Sequence, residues 1–171
     1  MSSSQVSSTR TGRREPKNPK SCHERALGLL AVRSRSRREL ERRLQQAGFP
    51  GEEVCETLQR LEGVGLIDDA AFARQLADHQ FGSRKAGRRA VTGALLQKGV
   101  SPDVVAQVLA DQASDEEERA LELARSKAVR MGSLEPAKAY SRLMGLLVRR
   151  GYSPEIARVS ARKALALQAD D

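Results

Sequence analysis

Two histidines, two cysteines and no tryptophan leave this 171-residue chain few groups with which to do covalent chemistry. His23 and His79 lie far apart, and no Ser, Cys or Lys stands in a recognisable nucleophile motif. Cys22 is next to His23 at the edge of a polar N-terminal stretch, where a pair of exposed residues is expected rather than a thiolate with its base. Asp68 and Asp69 invite a metal or acid–base reading. Adjacent carboxylates at a helix start do not converge on one point, however, and capping accounts for them better. The segment GSRKAGRR from Gly82 has the glycine spacing of a phosphate loop, but Arg88 and Arg89 stand where Lys and then Ser or Thr should, and no strand precedes it. An enzyme is therefore the least favoured class, and no catalytic residue, metal ligand or cofactor is expected.

What accumulates instead is positive charge. Thirty Lys and Arg against 22 Asp and Glu give a net charge of +8, which predicts a polyanionic partner, most often nucleic acid and less often a membrane surface or an acidic protein. The basic residues recur in phase. Arg37 and Arg38 precede Gly48 by eleven and ten residues, and Arg88 and Arg89 precede Gly99 by the same intervals. Just upstream lie Arg33, Arg35, Arg84 and Lys85; near the helix ends lie Arg42, Arg43, Lys98, Arg149 and Arg150. The third copy has Tyr140 and Ser141 at the paired position, so the arginine pair is two copies strong. Basic residues repeated along tandem units would form a stripe, which suits a long polyanion better than a compact ligand. If Z of them meet phosphate, log affinity falls with log salt by about 0.9Z on duplex and about 0.7Z on single strands. Any one of them can instead belong to a solvated helical face, as Glu39 with Arg43 would at i, i+4. Few aromatics are available to stack on bases, since Phe49, Phe72, Phe81, Tyr140 and Tyr152 look packed.

The elements that must carry these residues are helices built on a repeat. GFPGEEV from Gly48, GVSPDVV from Gly99 and GYSPEIA from Gly151 are related stretches 51 and then 52 residues apart, a period typical of repeat architectures. Leu40 and Leu44, Val91 and Leu95, and Leu143 and Leu147 stand eight and four residues before each glycine, the spacing of a helical apolar stripe. Each such helix is expected to end at its glycine in a left-handed turn, with Phe49, Val100 or Tyr152 packing back on it. A further helix then begins, with Ser101 and Ser153 as N-caps, Pro102 and Pro154 where a missing N–H costs nothing, and Asp103 and Glu155 at the positive end of the dipole. Val54 and Leu58, Val105 and Leu109, and Ala157 and Ala161 would face the core.

A first helix near Glu24–Val32, with Ala26, Leu27, Leu29 and Leu30 on its apolar face, opens repeat one. Ser36 with Glu39, and Ser114 with Glu117, have the spacing of capping boxes. Leu66 and Ile67 are expected to plug the core, with Asp68 or Asp69 capping a helix that continues through Phe72 and Leu76. Further helices are expected near Lys85–Lys98, Pro102–Gln112 and Pro154–Leu167, with a break at Met131–Ser133 and a start at Pro136. The expected fold is all-α: about nine helices in three tandem three-helix repeats, elongated and curved. The repeats cover 23–66, 67–113 and 114–168, between a disordered basic tail at 1–22 and a short tail at 169–171. Five basic residues against Glu15 leave the N-terminal tail at +4. Two cysteines outside any C-x-x-C pair argue against a disulfide scaffold or a structural zinc site. Without a signal-like leader or an apolar run approaching roughly 20 residues, a cytoplasmic monomer with no membrane contact is expected.

Taken in order, LLAVRSRSRRELERRL, GLIDDAAFA, the Gly87-x-x-x-Val91-x-x-x-Leu95-x-x-Lys98-Gly99-Val100 run and the RRGY turn at Arg149–Tyr152 resemble the RecX family over about Glu24 to Leu167. Matching positions include Arg33, Arg35, Ser36, Glu39, Leu40, Gly65, Leu66, Ile67, Asp68, Asp69, Phe72, Gly87, Lys98 and Gly99. The resemblance implies tandem three-helix repeats without catalytic residues. It also implies a modulator, mainly an inhibitor, of the RecA recombinase that binds the groove of the RecA–DNA filament and limits its extension, strand exchange and ATP hydrolysis. Single- and double-stranded DNA would then be weak, salt-dependent partners. Two other functions fit helical triplets with glycine turns: a helix-turn-helix transcriptional regulator, which would bind duplex DNA sequence-selectively without a recombinase, and a passive helical scaffold with negligible DNA affinity.

Overall fold

Glycine decides where each middle helix ends. In the computed structural model, which describes residues 20–110 and 115–166, Gly48, Gly99 and Gly151 all take positive φ, at 94°, 79° and 91°. The next amide reaches back each time, from Phe49 to the Leu44 carbonyl (3.3 Å), from Val100 to Leu95 (3.2 Å) and from Tyr152 to Leu147 (3.1 Å). That 6→1 bond closes a Schellman turn, and glycine enters its left-handed position without a Cβ penalty. Gly65, with φ 73°, ends the third helix the same way, its neighbour Leu66 bonding the Leu61 carbonyl at 2.9 Å.

Nine α-helices and no strand are found among the described residues. They are α1 (Cys22–Val32), α2 (Arg37–Gln46), α3 (Gly51–Gly63), α4 (Asp69–Gly82), α5 (Arg88–Gln97), α6 (Pro102–Ala110), α7 (Glu116–Ala128), α8 (Pro136–Arg149) and α9 (Pro154–Ala166). A short 3-10 turn, Val129–Met131, follows α7 and leads into the expected break. Ser101 and Ser153 accept from the amides of Val104 (3.4 Å) and Ile156 (3.2 Å), the capping expected of them.

The helices group by threes, each triplet around its own core. Leu40, Leu44, Val54, Leu58 and Leu61 centre the first, Phe72, Val91, Leu95, Val105 and Leu109 the second, and Leu143, Leu147, Tyr152, Ala157 and Ala161 the third. The six expected pairs of core positions are all buried. Alanines at 157, 161 and 164 let α9 approach closely, and it packs against α7 and α8 more extensively than any other helices pack together.

Several local expectations change. Helix α1 begins at Cys22, two residues earlier than its apolar face suggested, because Ser21 and Glu24 form a reciprocal capping box. Cys22 is therefore buried in the first core rather than exposed, His23 is partly buried, and Leu27 faces outward. Ser36 caps α2 through the Glu39 amide, but the Glu39 carboxylate does not return the bond; it is engaged by cations. Ile67 is buried, whereas Leu66 is 52% exposed and does not plug the core. Helix α5 starts at Arg88, leaving Lys85 in the preceding loop at φ 48°. Helix α7 begins beside Asp115 with no side-chain cap. The proposed cap Ser114, the ends of α6 and α9 at Gln112 and Leu167, and the tails through residue 19 and from 169 lie outside the described residues.

The triplets are joined by two junctions of the same design. In each, the glycine turn of one repeat sits on the first turn of the middle helix of the repeat before it. At the first, the Ser36 hydroxyl donates to the Lys98 carbonyl and the Arg38 side chain lies against Gly99. At the second, the amides of Gly87 and Arg89 donate to the carbonyls of Arg150 (2.8 Å) and Gly151 (3.1 Å). A Cβ on Gly87 would lie 2.4 Å from the Gly151 carbonyl carbon, so close backbone approach requires glycine there. A carboxylate completes each junction: Asp69 accepts the Arg37 amide at 2.8 Å, and Glu116 accepts the Arg88 amide at 2.8 Å. The first residue of each following repeat's first helix thus caps the middle helix of its neighbour.

Candidate polyanion interface

Around Glu39 the basic residues of the first junction converge. Its side chain is 3% exposed and meets the guanidinium groups of Arg33 and Arg35, with Arg43 Nε at 3.4 Å and Lys98 Nζ at 3.6 Å. Burial by itself raises a carboxyl pKa, but the hydrogen bond from Arg35 and the charges of Arg33, Lys98 and Arg35 more than offset it and hold Glu39 below its ordinary value. One carboxylate therefore organises four cations. Arg35 is itself buried, and its Nε donates to the Leu29 carbonyl at 3.0 Å, so this residue is committed to tying α1 to α2. Glu39 and Lys98 also border a polar cleft of about 520 Å³, whose other lining residues are Arg38, Glu41, Arg42, Gln45 and Gln97.

The paired arginines divide by role in both repeats. Arg37 Nε pairs with Glu62 at the end of α3 (2.9 Å), and Arg88 Nη1 donates to the Leu109 carbonyl near the end of α6 (3.2 Å). Both close their own triplet. Arg38 and Arg89, one residue on, are exposed and form no ion pair with the described residues. Arg42, Arg84 and Arg149 share that state.

A second cleft lies at the second junction, lined by Gln80, Ser83, Arg84, Ala86, Ala90, Arg149 and Arg150. Its cations occupy repeat positions that match the first: Arg84 corresponds to Arg33, and Arg150 to Lys98. The counter-anion does not recur, because Ala90 stands where Glu39 stands and its Cβ packs on Gly151. Arg150 is tied by a bond to the Arg84 carbonyl. Lys85 is also an internal tie, its amine on Glu122 at 2.8 Å and its carbonyl accepting the Tyr152 hydroxyl at 3.0 Å. Burial pushes the Tyr152 hydroxyl up to about 12, so it remains a donor.

Sequence reasoning missed several contributors. Asp69 was visible only as a cap for its own helix; its reach across a junction, like that of Glu116, depends on how the repeats stack. Arg119, 4.5 Å above the Phe81 ring, joins repeats two and three by a cation–π contact. Arg158, Arg162 and Lys163 form a third exposed basic face on α9, legible from their helical spacing. The third helix of repeat one exposes Glu52, Glu53 and Glu56, which repel phosphate and suit a DNA-reading helix poorly.

Exposed guanidinium groups thus recur at both junctions. Among the described residues no cluster of three or more His, Cys, Asp or Glu could hold a metal ion, and no helix is long and apolar enough to cross a membrane.

Three helical triplets, with basic clefts at their joints, define an all-α protein built of three-helix repeats. Models of the first, second and third three-helix domains of RecX match residues 22–61, 68–109 and 115–158. The regulatory protein RecX of Mycobacterium avium (strain 104) is 40% identical over 146 residues, covering 84% of each chain. That of Mycolicibacterium smegmatis is 38% identical over 152 residues, covering 84% of this chain and 81% of its own. The crystal structure of RecX from Lactobacillus salivarius shares the fold with a TM-score of 0.75 at 20% identity, covering 84% of this chain and 94% of that one. The chain belongs to the RecX family of regulatory proteins.

Proposed function

We propose that the chain regulates the RecA recombinase by lying in the groove of its filament on DNA, where it limits extension, strand exchange and ATP hydrolysis. The observation that carries this reading is the recurrence of exposed arginines at both junctions: Arg38 and Arg42 at the first, Arg84, Arg89 and Arg149 at the second. A protein lying along a periodic polyanion needs positive charge at intervals, and three triplets in tandem supply it. Lys98 and Arg150 add positive potential from the cleft walls, and Arg33 and Arg43 add it from beside Glu39. Arg35, Arg37, Lys85 and Arg88 act indirectly, by holding the triplets and their junctions in register.

DNA and acidic protein edges both meet such clefts, so affinity for DNA alone is weak and salt-sensitive. The test is DNA strand exchange together with filament length, using RecA and substoichiometric chain. Shortened filaments and slowed exchange are the expected outcome. Unaltered exchange and length would remove the reading, and a footprint on one duplex sequence without RecA would replace it with operator binding.

A further inference from the structure

The turns that build the two junctions have a third counterpart, which joins nothing among the described residues. Gly48 has the same left-handed backbone as Gly99 and Gly151. A Cβ on Gly99 would lie 2.3 Å from the Arg38 side chain, and one on Gly151 would lie 2.4 Å from the Ala90 Cβ, because a middle helix is seated on each turn. At Gly48 a Cβ would meet nothing within 4 Å. The following residue shows the same contrast: Val100 and Tyr152 are 2% and 0% exposed, whereas Phe49 is only half-buried. The carbonyls of Lys98, Arg150 and Gly151 each accept a bond from the helix docked on them. Those of Ala47 and Gly48 accept none from the described residues.

We propose that the Ala47-Gly48-Phe49 turn is a protein-docking surface that receives the first turn of an α-helix from a partner, as its two counterparts receive α2 and α5. The two seated helices define the chemistry of the occupant. Each has a small N-cap, Ser36 or Gly87, which lets the backbones approach, and each donates hydroxyl or amide hydrogens to the turn carbonyls. The half-buried Phe49 ring adds an apolar contact. The N1 carboxylate of the junctions has no equivalent here, because Cys22 holds that position, so the docked helix must cap its own first amide.

Nucleic acid is a poor occupant. The C-terminal end of a helix carries partial negative charge on its carbonyls and disfavours phosphate. A second copy of the chain fits poorly too. The open middle helix at the far end of the row, α8, begins about a turn earlier in its repeat than α2 and α5 do. The Ala139 amide, which stands at the N-cap position of those helices, is already bonded to the Glu135 carbonyl at 3.0 Å. On the filament reading, the occupant is a helix start on a subunit of the recombinase filament. This inference rests on the filament reading and adds to it a contact made with protein rather than DNA.

The experiment compares the full chain with Gly48→Asn in co-sedimentation with RecA filaments on single-stranded DNA. Asn tolerates left-handed backbone and would project a side chain where the docked helix sits. Filament affinity should fall about tenfold, while binding to the same DNA without RecA is unchanged. A photo-crosslinking residue at the exposed Ala47 tests the surface in case Gly48→Asn unfolds the repeat, and its adduct should map to a RecA peptide that opens a helix. If the parent chain does not sediment with filaments, the filament reading fails and this proposal with it. If the parent sediments but Gly48→Asn binds equally well, or the adduct falls on DNA, on a second copy or nowhere on RecA, the docking surface alone is overturned.

Discussion

The Asp69 carboxylate accepts the Arg37 amide at 2.8 Å, so the first residue of α4 caps the first residue of α2 across a junction between repeats. Glu116 repeats the contact with Arg88 at 2.8 Å. Asp69→Ala and Glu116→Ala should each cost about 1 kcal/mol, the usual loss of an N-cap. The two sites share no partner, so their effects should add in the double variant. Denaturant titration of the single and double variants checks this, and a double variant no less stable than either single one would contradict it.

Glu39 should be the most sensitive polar position in repeat one. Replacing it by Gln leaves the buried Arg35 guanidinium without its counter-charge, at a cost of about 3–5 kcal/mol. The pH dependence has a defined sign. The folded state holds Glu39 below its ordinary 4.5, so its stabilisation is complete above that value and is lost as pH falls through the folded pKa. Asp69 runs the other way: burial, only partly opposed by the Arg37 amide, holds its carboxyl above 3.8, so protonation on acidification favours the folded state. Thermal melts of the parent should lose stability as pH drops below about 4.5, and those of Glu39→Gln should be flatter there.

The glycines separate close approach from backbone conformation. Gly48→Ala meets no neighbour and should cost about 1–2 kcal/mol from left-handed backbone alone. Gly87→Ala has no such backbone cost, but its Cβ would lie 2.4 Å from Gly151, so it must open the second junction. Hydrogen exchange should show faster opening around Arg88–Ala90 in Gly87→Ala and not in Gly48→Ala.

The cysteines offer a reporter for repeat one. Cys55 is exposed and Cys22 is 1% exposed in the first core. A thiol reagent should label one site in the native protein and the second only as repeat one opens. Equal labelling rates at both thiols would contradict the placement of α1.

Much of the fold was legible because the glycine turns recur with a fixed period and carry apolar residues at fixed offsets: Leu44, Leu95 and Leu147 before the glycine, Val54, Val105 and Ala157 after it. Cys22 was misplaced although Ser21-x-x-Glu24 spells a capping box, because the basic stretch before it hides the helix start. The interface was less legible. Arg35 with Glu39 has the same i, i+4 spacing as a surface pair, and only the closing of α1 on α2 shows it to be buried. The split between Arg37 and Arg38, or Arg88 and Arg89, depends on where the end of each third helix lies, and the reach of Asp69 depends on how one triplet sits on the next. Adjacent positions in sequence carry neither piece of information.

The most direct test of the account is the affinity for RecA filaments, measured across salt concentration, of a variant with Arg38, Arg42, Arg84 and Arg149 all changed to Ala. The account predicts unchanged helicity by circular dichroism, binding weakened more than about tenfold, and a salt slope shallower by about 0.7–0.9 for each phosphate that the variant no longer neutralises. Parental affinity with a parental slope would contradict it.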